Sequence, residues 1–248
     1  MNDQNRHINF DDYAADYENI LQKQLAFFSK DRSYFSAYKV DIVAGICRIS
    51  PARIVDFGGG IGLSLQHLTN RFPNARIYAT DLSVKSLEYV RRVHPNIQVL
   101  SDDQLDGYTF DLIFISAVFH HIPVAQRPFV MKRLAGLLTE TGMLCIFEHN
   151  PFNPVTRHMV STCPFDADAK LITARRMKAL INDTGLNLSH SGYCLFFPQL
   201  LNRIRPLEKA MAWLPLGGQY FVTAERKRSS SHHDPMASND GRSSQEII

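Results

Sequence analysis

At 248 residues, with 45% apolar and 21% charged residues, the chain has the length and composition of one sizeable globular core with attached segments, which excludes a fibrous or wholly disordered protein. A formal net charge of +3, part of it in Arg226, Lys227 and Arg228 beside a polar tail, leaves no basic patch of the kind nucleic-acid binding relies on. No apolar run approaches the ~20 residues of a membrane span, the amino terminus has no apolar leader core, and Cys47, Cys145, Cys163 and Cys194 form no C-x-x-C pair, so reduced thiols, no metal and a cytoplasmic location are expected.

Residues 10–47 carry Tyr13, Tyr17, Leu21, Leu25 and Phe28 at helical spacing, which predicts a helical cap over residues 1–50. From Arg53 the pattern changes to short β-branched runs: RIVDFGG, ARIYATD, IQVLSDD, FDLIFIS and MLCIFEH. Helical stretches follow the first, second and fourth of these, the signature of βαβ units and a mostly parallel sheet. Between Asp102 and Thr109 there is room only for a loop with a single turn. A helix is predicted from Ala174 to Thr184 with Gly185 as its C-cap, then strands at Leu188–Phe197 and Gln219–Glu225 joined by a Pro-bounded helical insertion near 198–216. Residues 51–228 thus make the main domain. The apolar-poor stretch 229–248 is expected to be disordered, its His232-His233 pair incidental.

The most specific feature is Asp56-Phe57-Gly58-Gly59-Gly60-Ile61-Gly62, at the end of the first predicted strand and opening the first helix. Glycines suit a tight strand-to-helix turn because they take positive φ and let a ligand touch main-chain N–H groups. A dinucleotide fingerprint would place a third glycine where Leu63 stands, so G-x-G-x-x-G is not met, whereas D-x-G-x-G-x-G is. The second strand ends in Asp81-Leu82, Asp81 standing nineteen residues after Gly62, and the third in Asp102-Asp103. Asp81 can accept both hydroxyls of a ribose, and either acid can instead cap a helix.

That pattern resembles the first motif of class I methyltransferases dependent on S-adenosylmethionine (SAM), over roughly Phe10 to Lys227. The resemblance implies a Rossmann-like α/β fold: a seven-stranded, mostly parallel sheet with an antiparallel last strand and helices on both faces. It implies SAM as cofactor, with Asp56, Gly58, Gly60 and Gly62 around its methionine part, Asp81 on the ribose, Leu82 on one adenine face and Asp102 by the adenine amino group. Ser116-Ala117-Val118-Phe119-His120-His121 resembles the family's post-strand loop bordering the methyl donor. Phe10 to Tyr17 fits an F-D-x-x-A-x-x-Y segment that closes over bound cofactor, where Tyr17 either lines the site or packs in the core.

Methyl transfer from a sulfonium is an in-line displacement with a good leaving group, so positioning the acceptor at about 3 Å supplies much of the catalysis. A base helps a hydroxyl acceptor and is dispensable otherwise. Base candidates are His149, whose ordinary pKa lies near neutrality, and His120 and His121; each can equally be structural. The segment EHNPFNPVTRHM resembles a bacterial small-molecule subgroup, and Arg157, His158 and the Pro-bounded insertion are candidates for an acceptor pocket that recognises an anionic or sugar-nucleotide group through arginine. The expected partner is a small-molecule acceptor, methylated on oxygen, in glycan or secondary-metabolite biosynthesis. A catalytically silent SAM-binding regulator is the alternative, and a nicotinamide reductase is disfavoured by Leu63 and the absence of a Tyr-x-x-x-Lys pair.

Overall fold

A computed structural model describes residues 34–197 and 199–226, with the side chains of Phe165, Gln199, Leu200, Asn202 and Arg205 left out of account. Tyr17, the rest of the amino-terminal segment and the tail lie outside the described residues. Helix α1 (Tyr34–Ile46) precedes β1 (Arg53–Phe57), α2 (Leu65–Arg71), β2 (Arg76–Thr80), α3 (Val84–Val93), β3 (Gln98–Val99), β4 (Phe110–Ser116), α4 (Arg127–Gly136) and β5 (Leu138–His149). Then follow α5 (Pro154–Thr162), α6 (Ala174–Asn182), β6 (Asn187–Cys194), the short α7 (Glu208–Met211) and β7 (Gln219–Glu225).

The seven strands form one sheet in the order β3-β2-β1-β4-β5-β7-β6, parallel except for β7, which runs antiparallel to both of its neighbours. This is the Rossmann-like arrangement expected from the sequence. The strands read as continuous apolar runs because both faces are covered. Successive residues of a strand serve opposite faces. Val55, Ile113, Ile115, Leu144 and Ile146 pack with Met131 and Leu134 of α4 and Met177, Leu180 and Ile181 of α6. Ile54, Leu112, Phe114, Cys145 and Phe147 pack on the other face with Val40 and Val43 of α1, Leu65 and Leu68 of α2 and Val90 of α3.

Helix starts follow local chemistry. Ser83, Asn153 and Thr173 each accept a hydrogen bond from the amide three residues on, at Ser86, Thr156 and Arg176, and Pro154 adds its fixed φ to the start of α5.

Several boundaries differ from the sequence reading. The third strand keeps only two residues, because its partner β2 pairs with it at Tyr78 and Ala79 alone at the sheet margin. Strand β5 begins at Leu138, five residues before the expected run, across an irregularity in its pairing with β4. Helix α6 ends at Asn182, and Gly185, with φ +80°, closes the turn beyond it. The insertion is a 3₁₀ stretch at Gln199–Leu207 kinked at Leu201, followed by the four residues of α7. Pro206 lies within that stretch and offers no N–H to continue a regular helix.

The insertion is nonetheless anchored. Glu208 is buried and accepts from the Tyr38 hydroxyl at 2.6 Å and from the Leu195 and Phe197 amides at 3.0 and 3.1 Å. Asn150, fully buried, donates from Nδ2 to the carbonyls of Pro215 and Gly217, and accepts at Oδ1 from the Phe152 amide. The Asn-Pro step after β5 is therefore a structural latch.

Candidate functional site

The order of β1 and β4 at the centre of the sheet opens a crevice at their carboxyl ends, where ligands of open α/β sheets bind. The β1–α2 turn supplies one wall. Gly58, Gly60 and Gly62 all have positive φ, at +67°, +54° and +85°. A Cβ at Gly58 would also stand 2.6 Å from Val118 Cγ2, so the glycine lets this turn touch the loop after β4. The Gly58 and Gly59 amides donate to the Thr80 carbonyl at 2.9 and 3.1 Å. Asp81 faces the turn: Oδ2 accepts from the Gly60 amide and Oδ1 from the Ser83 amide, both at 2.8 Å.

Asp56 lies beneath this turn, 2% exposed, and its Oδ2 meets no hydrogen-bond donor among the described residues. Burial, and then the nearby Asp81 charge, push its pKa up to about 7, against the attraction of Lys39. A buried carboxylate in this state calls for a cation. SAM carries an ammonium and a sulfonium, so the donor set and the glycine cradle fit it.

Lys39 of α1, also buried, donates from Nζ to Ser116 Oγ at 2.7 Å. Burial lowers its pKa to about 8 despite the opposing pull of Cys194, Glu148 and Asp56. The loop after β4 begins with Ala117 in the left-handed region, φ +61°, a conformation that costs a non-glycine residue and must be held by its surroundings. Glu148, fully buried near the end of β5, holds it: Oε1 accepts from the Val118 and Phe119 amides at 2.9 and 2.6 Å, and Oε2 from His120 Nδ1 at 2.7 Å.

Around this bond the histidines gather. The His120 ring lies 4.1 Å from that of His121 and 4.9 Å from that of His149, centroid to centroid. Asp166, from the turn after α5, stands 3.4 Å from His120 Nε2 and 3.3 Å from His121 Nε2. Burial disfavours charge on His120, but the Glu148 and Asp166 carboxylates outweigh it and hold its pKa at about 9. Asp166 in turn is held well below the ordinary carboxylate range: the His120 and His121 contacts overcome its burial.

His149 goes the other way, lowered to about 4 by burial and by the charge on His120. Burial and the His120 charge thus work against the tuning near neutrality that a general base uses. Both ring nitrogens of His120 already face carboxylates, Nδ1 that of Glu148 and Nε2 that of Asp166.

Of the residues singled out in the sequence, the structure brings Asp56, Gly58, Gly60, Gly62 and Asp81 to one wall, and Ser116, His120, His121 and His149 to the other. Leu82 stands 80% exposed next to Asp81. Asp102 is turned elsewhere: its Oδ1 accepts from Arg133 Nη1 at 2.8 Å, and the same guanidinium binds Asp106. Lys39, Glu148 and Asp166 escaped the sequence reading. The only signal for Glu148 was its place at a strand end among apolar residues.

Beside Asp166 opens a cavity of about 660 Å³ whose wall includes Arg157, His158, Ser161 and Leu171. No helix among the described residues is long and apolar enough to cross a membrane.

Residues 55–144 match the family model of the methyltransferase domain, and with the fold and the glycine turn this makes the chain the bearer of a class I, SAM-dependent methyltransferase domain. Among curated relatives, trans-aconitate 2-methyltransferase of Methylobacterium nodulans is 29% identical over 148 residues, 56% of this chain and 55% of that protein. The protein of the same name from Afipia carboxidovorans is 31% identical over 109 residues, 43% and 42% of the two chains. The chain thus spans about half the length of these relatives. Among solved structures, a SAM-dependent methyltransferase from Archaeoglobus fulgidus superposes with a TM-score of 0.64 at 14% identity, covering 85% of this chain and 99% of that one. Magnesium protoporphyrin IX methyltransferase from Synechocystis, with bound SAH, gives 0.61 at 15% identity over 88% and 96%. At such identities these structures speak for the fold alone.

Two outcomes follow from the site's electrostatics. Glu148→Gln removes the charge that faces His120 and weakens the hold on the loop after β4, and a broken buried pair costs about 3 to 5 kcal/mol, read as a lower midpoint in urea unfolding. For Asp56 the folded-state pKa is raised above the unfolded one, so its contribution is fully present below about pH 4 and is lost as pH rises through 7. Asp56→Asn should therefore stabilise the ligand-free protein at pH 8 by at least ~1 kcal/mol, with the gain shrinking as pH falls from 7 toward 4 in thermal melts. The same substitution should weaken SAM in calorimetric titration by about tenfold or more.

Proposed function

We propose that the protein transfers the methyl group of SAM to a carboxylate oxygen of a small organic acid. Bound SAM supplies an electrophilic methyl on a sulfonium. Asp56 faces the cofactor's ammonium, the Gly58–Gly62 turn offers main-chain amides without a Cβ in the way, and Asp81 accepts the ribose hydroxyls while keeping its two amide bonds. Leu82 covers the adenine. Lys39 keeps Ser116 directed at the crevice. Asp102, paired with Arg133, fixes the loop after β3 and so acts on adenine through the backbone it orders.

The observation that carries the acceptor class is the cavity beside Asp166, with the Arg157 guanidinium and His158 in its wall. Arginine pairs with carboxylates in a two-pronged geometry. The charge states at the histidines agree: neither His120 nor His149 is set to take a proton, and an acid acceptor is already ionised at neutral pH. The name of the curated relatives, trans-aconitate 2-methyltransferase, supports the same reading. The acceptor acts as a free small molecule in the cytoplasm, with no nucleic acid involved.

The test is transfer of labelled methyl from SAM to a panel of small di- and tricarboxylic acids, phenols and amines. Acids should be methylated and the others not, and Arg157→Ala should raise the KM for the acid at least ~10-fold, the worth of about 1.4 kcal/mol, with SAM affinity unchanged. Methylation of phenols in preference to acids would overturn the acceptor class. SAM binding without transfer to any acceptor would mark a silent SAM-binding protein instead.

A further inference from the structure

His120 and His121 direct their Nε2 atoms at one oxygen, Asp166 Oδ1, from 3.4 and 3.3 Å. Those separations are long for charge-assisted hydrogen bonds, which close to about 2.7–2.9 Å. The same His120 ring makes such a bond through its other nitrogen, to Glu148 at 2.7 Å. They match the edge of a tetrahedron: nitrogen and oxygen ligands about 2.0–2.2 Å from a zinc ion lie roughly 3.3–3.4 Å from one another. The three ligand atoms all lie within 4.8 Å of one another.

The second nitrogen of His120 strengthens the pattern: Nδ1 is backed by Glu148 at 2.7 Å, whereas Asp168 Oδ1 stands 3.5 Å from His121 Nδ1, too far for a hydrogen bond. Metal-bound histidines characteristically hand their other N–H to a carboxylate, which sets the tautomer that frees Nε2. The loop and the 166–170 segment are also fastened together before any ion arrives. The Lys170 amide donates to the His120 carbonyl, and Arg127, 5% exposed, donates to the carbonyls of Ile122 and Lys170.

We propose that His120 Nε2, His121 Nε2 and an Asp166 oxygen bind one divalent transition-metal ion of the zinc, cobalt or iron class. The expectation from sequence was no metal; the histidines were adjacent there, and their carboxylate partner lies 45 residues on. Two imidazoles disfavour calcium and magnesium, which take oxygen. Three protein ligands leave a position for water or an acceptor oxygen, and Asp166 is shared with the wall of the cavity. The proposal stands whether or not the acceptor is an acid.

The full chain, stripped with chelator, is titrated with Zn²⁺ by calorimetry and with Co²⁺ by visible absorption. One ion per chain is expected, with the intense bands of low-coordinate cobalt, and His121→Ala and Asp166→Asn should each bind at least ~10-fold more weakly. Asp168→Asn, which leaves all three ligands in place and removes a negative charge beside the site, should bind about 3-fold or more weakly. SAH binding measured on each preparation reports folding. If His121→Ala or Asp166→Asn no longer binds SAH, Asp168→Asn decides. Wild-type protein that binds SAH but no ion, or variants that bind the ion as wild type does, for instance through His232-His233, would overturn the site while leaving methyl transfer untouched.

Discussion

The ligand edge of this protein depends on one carboxylate without exposed surface. Glu148 satisfies two amides of the loop after β4 and the Nδ1 of His120, and so keeps Ala117 in a backbone region that it would otherwise leave. That loop is the wall against which the glycine turn rests, through Gly58 and Val118. A shift in Glu148 would therefore propagate to the cofactor turn and the histidine cluster together. Its burial is costly unless the charge is paired and hydrogen-bonded, and two amides and the His120 ring meet that requirement at both oxygens.

The opposite design is found a few residues away. Asp56 is buried with one oxygen unanswered among the described residues, a state that burdens the fold at neutral pH. Strain of this kind persists at sites where a ligand relieves it. One edge of the sheet thus holds a carboxylate satisfied by the protein and another with an oxygen that no described residue answers. Lys39 lies between them, charged enough to steady Asp56 and too deeply buried to replace a ligand's cation.

Most of the fold was legible because strand periodicity and breakers act locally. The runs at Arg53–Phe57, Phe110–Ser116 and Gln219–Glu225 read directly as strands, and the glycine turn lies within the stretch that matches the methyltransferase family model. Contacts across long stretches of chain were not legible. Arg133 reaches Asp102 from 31 residues away, Asp166 meets His120 from 46, and nothing local in either sequence announces the partner. The histidines show why residue type alone misleads: His120 and His149 begin from the same ordinary pKa, but burial and the charge on His120 lower His149 to about 4, while the bonds of His120 to Glu148 and Asp166 outweigh its burial and hold it at about 9. Glu208 was hidden for a related reason. It is a charged residue in a polar, Pro-bounded stretch, yet it is buried and ties the insertion to Tyr38.

The insertion between β6 and β7 is clasped at both ends, by Glu208 where it leaves the sheet and by Asn150 where it returns. Between those clasps Arg203, Ile204, Leu207 and Trp213 are exposed. The segment also grips the sheet between them, where the Tyr193 amide of β6 donates to the Ala212 carbonyl. Sequence drift at its exposed positions therefore costs the fold little, whereas a change at Glu208, Asn150 or the Ala212 backbone would loosen the whole excursion from the strands it rests on.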